Sequence, residues 1–312
     1  MSRSIFSAPH FNDEAAAYAY VEARLWADGR SCPKCGVLDR SAPLKGKTNR
    51  IGLYKCYACR SPFTVKVGTI FEDSHIQMRD WLAAIHMICS SKKGVSSNQL
   101  HSTLGITLKS AWFMSHRIRE ALKETNPEPM GGAGQHVEAD ETFIGRKHGV
   151  KVQASVHHKH AVFSLVERGG RARSFHIDKL SAATIARITK ENVSRESTLN
   201  TDEALRYRKM GKEFAQHLSV NHGAGVYVDG AATTNTVESF FSVFKRGMRG
   251  TYQHCGEKHL QRYLTEFDFR YSNRAALGID DTERATAALK GAAGKRLTYR
   301  RINERPEADP LG

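Results

Sequence analysis

Two Cys-x2-Cys pairs, Cys32/Cys35 and Cys56/Cys59, constrain the fold of this chain more than any other feature. Two thiolates at this spacing hold one edge of a tetrahedral Zn²⁺ site, and a hairpin between the pairs can bring the second edge back. Four unrelated thiols are the alternative, which the repeated spacing disfavours. Because four cysteine ligands leave no open coordination position, we predict one structural Zn²⁺ in a zinc ribbon at residues 31–72.

The charge of the chain indicates a polyanionic partner. Lys and Arg number 47 against 32 Asp and Glu in 312 residues, a net charge of +15. Counterion release makes nucleic acid the usual partner of such a surplus. Residues Met1–Asp13 lack the apolar stretch of a signal peptide, and no apolar run of ~18 residues could cross a bilayer. We therefore expect a cytoplasmic, nucleoid-associated protein of two or three domains without a membrane partner.

Helical patterns occupy the first part of the chain. Asn12 can cap a helix through EAAAYAYVEARLW, which makes residues 1–30 an N-terminal helical segment. Residues 73–123 form a second helical region, with patterns at Gln77–Ser90, Ser97–Leu104 and Leu108–Leu122.

The last two of these helices have helix-turn-helix spacing, because only three residues separate them. The outer face of the second helix would offer Lys109, Arg117 and Arg119 to DNA, with Trp112 and Phe113 facing inward. The alternative is a helical hairpin packed inside the protein. The basic charge of the chain favours the DNA-binding interpretation.

A linker, rich in Pro and Gly, is predicted at residues 124–135. The pattern beyond it changes to strands and helices in an α/β domain at residues 136–275, for which we predict a mixed sheet with helices on both faces. The predicted strands are Val137–Ile144, His160–Glu167, Ala172–Ile177, Ser197–Thr201 and Val226–Val228, and the predicted helices are Ala182–Val193, Ala204–Phe214, Thr236–Arg246 and Lys258–Tyr271. Residues 276–312 are predicted to be a basic C-terminal tail.

The first strand of this domain carries three acids, Glu138, Asp140 and Glu141. Because side chains alternate along a strand, Glu138 and Asp140 share one face and Glu141 points to the other. A carboxylate in a covered sheet costs several kcal/mol unless its charge is compensated, and a bound metal ion would compensate it. The alternative is an edge strand with solvated acids.

Two further acids follow along the chain. Asp202 follows the fourth predicted strand and precedes a helix, and capping of that helix is an adequate structural reason for it. Glu238 lies beside the apolar stripe of a helix, and Lys245 lies on the same edge two turns later. A boundary Glu and a solvent-reaching Lys are the structural alternative. The order Asp, Asp, Glu with Lys at +7 is nevertheless the pattern of D-D-E enzymes.

Five motifs extend this likeness over nearly the whole chain. They are CPKCG at Cys32–Gly36, VEADETFIG at Val137–Gly145, TDEA at Thr201–Ala204, NTVESFFSVFKRGMRGTYQH at Asn235–His254 and KHLQRYLTEFDFRYSNR at Lys258–Arg274. With them the chain resembles the bacterial insertion-sequence transposases of the ISXO type, which join a zinc ribbon to a DDE domain of the RNase H-like, integrase-like fold.

The resemblance implies two Mg²⁺ (or Mn²⁺) ions held by Asp140, Asp202 and Glu238, with Asn235 as the alternative third position. Lys245, Arg246 and Arg249 would contact DNA phosphates. The implied partners are double-stranded DNA, as terminal inverted repeats and as target, and further copies of the chain in at least a dimer. An RNase H-like nuclease or resolvase and a non-catalytic DNA-binding regulator are the competing hypotheses.

Overall fold

The computed structural model describes residues 4–46, 48–202, 207–220 and 228–298. The N-terminal helical segment contains helices α1 (Pro9–Asn12) and α2 (Glu14–Leu25). Asp13, not Asn12, caps α2, because its side chain accepts a hydrogen bond from the Ala16 N–H at 2.6 Å. The predicted cap was therefore wrong by one residue. Asn12 ends α1 instead, and its amide donates to the Phe6 and Ala8 carbonyls.

The ribbon contains three short antiparallel strands, β1 (Ser41–Pro43), β2 (Tyr54–Cys56) and β3 (Pro62–Phe63), in the order β1-β2-β3. Cys56 ends β2, and the pairing of β1 with β2 places Ser41 opposite it. The hairpin expected between the two cysteine pairs is therefore present in the described part of the ribbon.

Three helices follow in the second helical region: α3 (Met78–Ser90), α4 (Ser97–Leu104) and α5 (Leu108–Ala121). Gly105 ends α4 in the left-handed conformation (φ 66°), and Thr107 caps α5 by accepting from the Ser110 N–H at 3.1 Å. The predicted two-helix unit is confirmed as a helical structure. Trp112 and Phe113 are half-buried rather than fully inward-facing.

A helix that the sequence did not predict completes this region. Residues 281–290 lie in the expected tail but form α10 (Asp281–Lys290), which begins with a capping box made by Asp280 and Glu283. Its Leu289 is buried in the same core cluster as Trp81 and Ile118. The stretch from residue 276 is thus not simply a basic tail, because part of it is integrated into the helical core.

The sheet contains five strands in the order β6-β5-β4-β7-β8. They are β4 (His136–Ile144), β5 (His160–Glu167), β6 (Ala172–Ile177), β7 (Thr198–Asp202) and β8 (Gln216–Val220). The first three form an antiparallel meander, and β7 and β8 run parallel to β4. The mixed sheet predicted from the sequence is confirmed.

Helices cover both faces of this sheet. On one face, α6 (Ala182–Asn192) packs with a cluster that includes Val137, Ala139 and Phe163. On the other face, α8 (Asn235–Gly247) and α9 (Glu257–Ser272) pack on Val162 and Val166. The domain is therefore a three-layer structure, and each face of β4 is buried under a helical layer.

Three short elements between β7 and α8 differ from the prediction. The expected helix Ala204–Phe214 contains α7 (Arg208–Gly211), while its residues 204–206 lie outside the described chain. Strand β8 was not predicted. The expected strand Val226–Val228 meets β9 (Val228–Asp229), which pairs with β10 (Ala232–Thr233), and its first two residues are not described.

The predicted linker is attached closely to the sheet domain. Met130 is fully buried, and its N–H donates to the Asn192 carbonyl at 2.7 Å. The Gly131 N–H donates to Glu167 at 2.6 Å, and a Cβ at Gly131 would lie 2.1 Å from the Ser197 hydroxyl. Glycine is thus required where the chain enters this domain. Within the described ranges, no helix is both long and apolar enough to cross a membrane.

Candidate active site and metal centres

The first two predicted acids lie on adjacent parallel strands. Glu138 of β4 is paired with Asn200 of β7. Asp140 and Asp202 each lie two residues beyond that pair, so the alternation of side chains places them on the same face of the sheet, next to each other. Asp140 is opposite Ser164 of β5, in the centre of the sheet, and Asp202 is the last residue of β7.

The third predicted acid lies on α8, which covers the same face. Glu238 is in the first turn of this helix, and its carboxylate accepts a hydrogen bond from the Thr234 hydroxyl at 2.9 Å. The next residues on the buried side, Phe240 and Phe241, pack in the cluster on β5. The apolar stripe predicted from the sequence therefore does hold this helix on the sheet, with Glu238 at its edge.

Electrostatics show that these acids are close together. The pKa of Asp140 is raised to about 7, mainly by burial and in addition by the nearby carboxylates of Glu141, Asp202 and Glu238, although a backbone hydrogen bond from Glu141 opposes them. Asn235, by contrast, is exposed, and its N–H donates to the Thr233 hydroxyl at 3.1 Å. Glu238 is one of the charged groups that raise the pKa of Asp140, whereas Asn235 carries no charge and can have no such effect.

A cluster of cations borders the acids. Burial lowers the pKa of Lys245, and the charges of Arg249 and Lys159 lower it further, whereas Asp140 raises it. Lys245 is half-buried, and Arg246 and Arg249 are exposed. The far end of α8 and the residue before β5 thus place positive charge near Asp140, where it could attract an anionic group.

Glu138 has a role that the sequence did not reveal. It is completely buried, and its carboxylate accepts hydrogen bonds from the Thr236 N–H at 2.8 Å, the Thr236 hydroxyl at 2.9 Å and the Val237 N–H at 3.0 Å. A strand carboxylate therefore caps the N-terminus of α8, where the helix dipole favours negative charge. The cap fixes the turn that carries Glu238.

Arg168 provides the counter-charge for this cap. Its guanidinium donates to Glu138 at 2.7 Å, to the Asn200 side chain at 3.1 Å and to the carbonyls of Ala231 and Thr233 at 2.9 and 3.1 Å. One arginine thereby joins β4, β7 and the hairpin before α8. A buried acid on the same strand face as Asp140 is the sequence signal that could have indicated such a partner, because a buried carboxylate needs one.

Glu141 lies on the opposite face, as the alternation predicted. It accepts a short hydrogen bond from the hydroxyl of Tyr207, which is buried in the cluster beneath α6. Burial raises the pKa of Tyr207 well above its usual value, and the charge of Glu141 adds to the effect. Both acids that the sequence left outside the metal site, Glu138 and Glu141, thus have protein hydrogen-bond donors.

The four ribbon cysteines converge as predicted. The Sγ atoms of Cys32 and Cys59 are 3.7 Å apart, as are those of Cys35 and Cys56. All four lie within 4.8 Å of one another, which fits the edges of a tetrahedral Zn²⁺ site. Backbone and side-chain hydrogen bonds from Ser61 lower the pKa of Cys59 to about 6, whereas, against a backbone hydrogen bond from Val37, burial and the three neighbouring thiols raise the pKa of Cys35 to about 11. In the metal-free ribbon the first negative charge is therefore on Cys59.

The predicted outer face of α5 is wrong for two of its three basic residues. Arg119 is 1% exposed and donates to the buried Glu266 of α9 at 2.6 Å, and Arg117 is 5% exposed and bonds to the Glu72 carbonyl. Both are therefore withdrawn from any DNA surface by the packing of neighbouring segments. Lys109, in the first turn of the helix, is exposed.

Comparison with known proteins identifies both parts of the chain. Residues 131–272 match the ISXO2-like transposase domain, and residues 12–61 match the transposase zinc-ribbon domain. The chain thus combines a transposase zinc ribbon with a DDE-type transposase domain. These are the domains of the ISXO-type insertion-sequence transposases, and the resemblance seen in the motifs is confirmed.

Two further likenesses are more distant. The chain is 27% identical over 278 residues to an uncharacterized protein in transposable element ISH50 of Halobacterium salinarum, which covers 83% of this chain and 90% of the relative. A chain in a simian T-cell lymphotropic virus intasome in complex with PP2A regulatory subunit B56 gamma is 12% identical, with a TM-score of 0.34 over 69% of this chain and 75% of that one. The second likeness is too weak to support an argument.

Proposed function

We propose that this transposase-family chain binds the terminal inverted repeats of its element and catalyses metal-dependent DNA cleavage and strand transfer. The observation that carries the proposal is that Asp140 and Asp202 share one sheet face, that Glu238 lies on the helix over this face, and that the charges of Asp202 and Glu238 act on Asp140. Lys245 lies close enough to feel the charge of Asp140. Two DNA ends must be held together for the joining step, so we further propose that the active form is at least a dimer.

The residues of this site fit a pair of hard divalent cations. All the donors are carboxylate oxygens, which Mg²⁺ and Mn²⁺ prefer, and the crowding that raises the pKa of Asp140 is the repulsion that cations relieve. Asp140, Asp202 and Glu238 would hold the ions. When bound, such a pair activates the attacking oxygen and stabilises the leaving oxygen of an in-line phosphoryl transfer.

The protein's own side chains would position the DNA. Arg249 lies close enough to Lys245 for its charge to lower the Lys245 pKa, and we propose that the two side chains hold phosphates on either side of the scissile bond. Arg246 is exposed one residue beyond Lys245 and would contact the flanking backbone. The Glu138–Arg168 pair keeps α8 fixed to the sheet, so the third carboxylate stays in place as the DNA enters.

The reaction consists of two phosphoryl transfers at this one site. In the first, a water oxygen bonds to phosphorus and the 3′-oxygen of the element end leaves, which produces a 3′-hydroxyl. In the second, that hydroxyl bonds to a phosphorus of the target DNA, and a target 3′-oxygen leaves. Phosphodiester bonds are conserved in the joining step, so it needs no external energy source.

End recognition would involve the ribbon and the first turn of α5. In helix-turn-helix proteins the first residues of the second helix contact base edges. Thr107, Leu108 and Lys109 are exposed at this position, whereas the later turns of α5 are buried. We therefore propose that α5 approaches DNA by its N-terminus and that the ribbon contributes further backbone contacts.

A strand-transfer assay tests the catalytic proposal. The substrates are a labelled duplex with the DNA that flanks the gene, intact or pre-cut at the 3′ end, and a target plasmid with Mg²⁺. We expect cleavage and joining by the wild-type protein, and loss of both, by about 100-fold or more, in Asp140→Asn, Asp202→Asn and Glu238→Gln. Asn235→Ala, one turn before Glu238, is the matched control and should stay near wild type.

Three outcomes of this assay contradict parts of the proposal. Cleavage of intact ends without joining of pre-cut ends would indicate a nuclease or resolvase. Full activity of Asp140→Asn would exclude the carboxylate site. If Asn235→Ala lost activity while Glu238→Gln kept it, Asn235 rather than Glu238 would be the third residue of the metal site.

A further inference from the structure

A second group of metal-ligand side chains lies away from the carboxylate site. His160 begins β5, His176 lies near the end of β6, and Glu257 begins α9. One ligand atom from each lies within 4.8 Å of the other two. None of these residues belongs to the predicted catalytic or ribbon sites.

The sheet register explains why the two histidines meet. His176 pairs with Val162 across the β5–β6 ladder, and His160 is two residues from Val162 on the same strand. Both rings therefore lie on the sheet face that α9 covers, as diagonal neighbours. Their centroids are 5.5 Å apart, with the ring planes at 70°.

The N-terminal end of α9 is fixed at this position by a series of contacts along β6. The N–H groups of Ala172, Ser174 and His176 donate in turn to side chains of α9, namely Ser272, Asp268 and Gln261. The helix thus runs along the edge strand for its whole length. These contacts with β6 place Glu257, the first residue of α9, next to the two histidines.

The ring nitrogens that face the carboxylate are buried without a hydrogen-bond partner. His160 Nδ1 lies 3.6 Å from one oxygen of Glu257, and His176 Nε2 lies 3.9 Å from the same oxygen. Both nitrogens are inaccessible and unsatisfied, and the His160 side chain is only 6% exposed. A buried polar atom without a partner is costly, so these two nitrogens require an explanation.

The distances are too long for hydrogen bonds and suit ligands that share one ion. Metal–nitrogen and metal–oxygen bonds of ~2.0–2.2 Å in tetrahedral geometry separate the ligand atoms by ~3.3–3.6 Å. Burial is also the main cause that lowers the pKa of His176, which keeps its imidazole in the neutral form that binds metals.

We propose that His160, His176 and Glu257 bind a divalent late transition ion, with Zn²⁺ as the best match, and that this ion anchors the N-terminus of α9 to β5 and β6. Imidazole nitrogen selects Zn²⁺ and its neighbours in the series over Mg²⁺, so the site is chemically distinct from the all-carboxylate site. Water would complete the coordination. His160 also lines a cavity of about 290 Å³ together with Lys159 and Arg249.

Metal stoichiometry of the full chain tests this proposal. All measurements use the Asp140→Asn background with excess Mg²⁺, so that Zn²⁺ does not occupy the carboxylate site. After dialysis against Zn²⁺, we expect two zinc ions per chain, one in the ribbon and one here. Glu257→Gln should reduce the number to one. Because Glu257 is half exposed, this variant is expected to fold.

His157→Gln is the matched control, since His157 is exposed three residues before His160. It should keep two zinc ions, and His176→Gln should keep one. Added Zn²⁺ should raise the thermal midpoint of the background protein and of the control by several degrees, and should leave both site variants unchanged. One zinc ion per chain in the background protein, or a second zinc ion retained in Glu257→Gln, would overturn the proposal.

Discussion

Asp140 occupies a position in which its charge is unfavourable to the metal-free fold. Burial and the surrounding acids raise its pKa to about 7, above the ~3.9 of an unfolded chain. The folded protein therefore holds an extra proton between these values, and the free energy of unfolding falls as the pH rises from about 4 to about 7. A residue kept at such a cost is typical of a functional site.

Asp140→Asn should consequently stabilise the magnesium-free protein at pH 8, by ~2–4 kcal/mol, and change it little at pH 4. Urea unfolding at the two pH values measures the difference. Addition of Mg²⁺ should stabilise the wild-type protein but not this variant. Asp229→Asn, at an exposed position, is the control and should change stability by less than ~0.5 kcal/mol at either pH. If Asp140→Asn were no more stable than the wild type at pH 8, the charge of the Asp140 carboxylate would not be destabilised by its surroundings.

Single residues were predictable where the chemistry of a site is local in sequence. The spacing of the four cysteines predicts their ligand geometry. Asp140 is one of three acids in a strand that was expected to be covered on both faces. Arg117 and Arg119 were misplaced because a helical wheel shows which residues share a face but not which segments cover that face. Arg119 meets Glu266, which is far away in the sequence, and local periodicity carries no information on that contact.

At the scale of elements, the junction between β4 and α8 determines whether the candidate site can form. Strand β4 supplies Asp140 and α8 supplies Glu238, and the two are joined by the carboxylate of Glu138. The Glu138–Arg168 bond at 2.7 Å joins a completely buried side chain to one that is 26% exposed. Loss of either charge leaves the other without its partner in a poorly hydrated position.

Glu138→Gln should destabilise the protein by about 3 kcal/mol, since the α8 cap loses its charge and Arg168 loses its counter-ion. Strand transfer should fall as well, because the helix that carries Glu238 is less firmly placed. Urea unfolding and the strand-transfer assay give the two readouts. Glu191→Gln is the control, as Glu191 pairs with Arg187 on an exposed face of α6 at 2.9 Å and should lose no more than ~0.5 kcal/mol. Equal losses in both variants would contradict the proposed cap.

The main strands and helices were predictable because their periodicity is strong. The meander β4–β6 and helices α8 and α9 follow apolar patterns that persist over several residues. Strand β8 has a burial pattern of mostly exposed and half-buried residues, as expected at the edge of a sheet, so it lacks that signal. Helix α10 was missed because its apolar residues are mainly alanines, whose burial depends on close helix contact rather than on a hydrophobic stripe.

At the scale of the whole molecule, a buried ion network joins the α4–α5 unit to the sheet domain. Glu266 of α9 accepts from Arg119 of α5 at 2.6 Å and, through short contacts, from Arg270 and from Tyr252. Tyr252 ends the π-helical turn that extends α8. The helix-turn-helix unit and both helices beside the candidate active site thus share one carboxylate.

Removal of this carboxylate should affect both regions together. We expect Glu266→Gln to lose ~3–5 kcal/mol of stability, because two buried guanidinium groups are left without their counter-ion. Glu120→Gln is the matched control: the Glu120–Arg262 pair joins the same two helices at 3.7 Å but is partly exposed, and its loss should cost less than ~1 kcal/mol. Denaturant unfolding followed by helix content compares them. A stable Glu266→Gln protein would show that packing alone joins the two regions.

Helix α10, which follows the sheet domain in sequence, packs against the N-terminal helices and provides a second connection across the molecule. Leu289 of α10 is 1% exposed in the core of the helical region, and Arg284 donates to the Cys89 carbonyl at the end of α3 at 3.0 Å. The core under the α4–α5 unit is therefore completed by residues that follow the sheet domain in sequence. We propose above that the first turn of α5 contacts the DNA ends.

Leu289→Ala should remove ~2–4 kcal/mol from the stability of this core. It should also weaken binding of the element ends, measured by fluorescence anisotropy at temperatures where the variant begins to open. A truncation after residue 298 is the control, since it keeps α10 intact and should preserve the core. If Leu289→Ala unfolds and binds DNA as the wild type does, α10 does not support the α4–α5 unit.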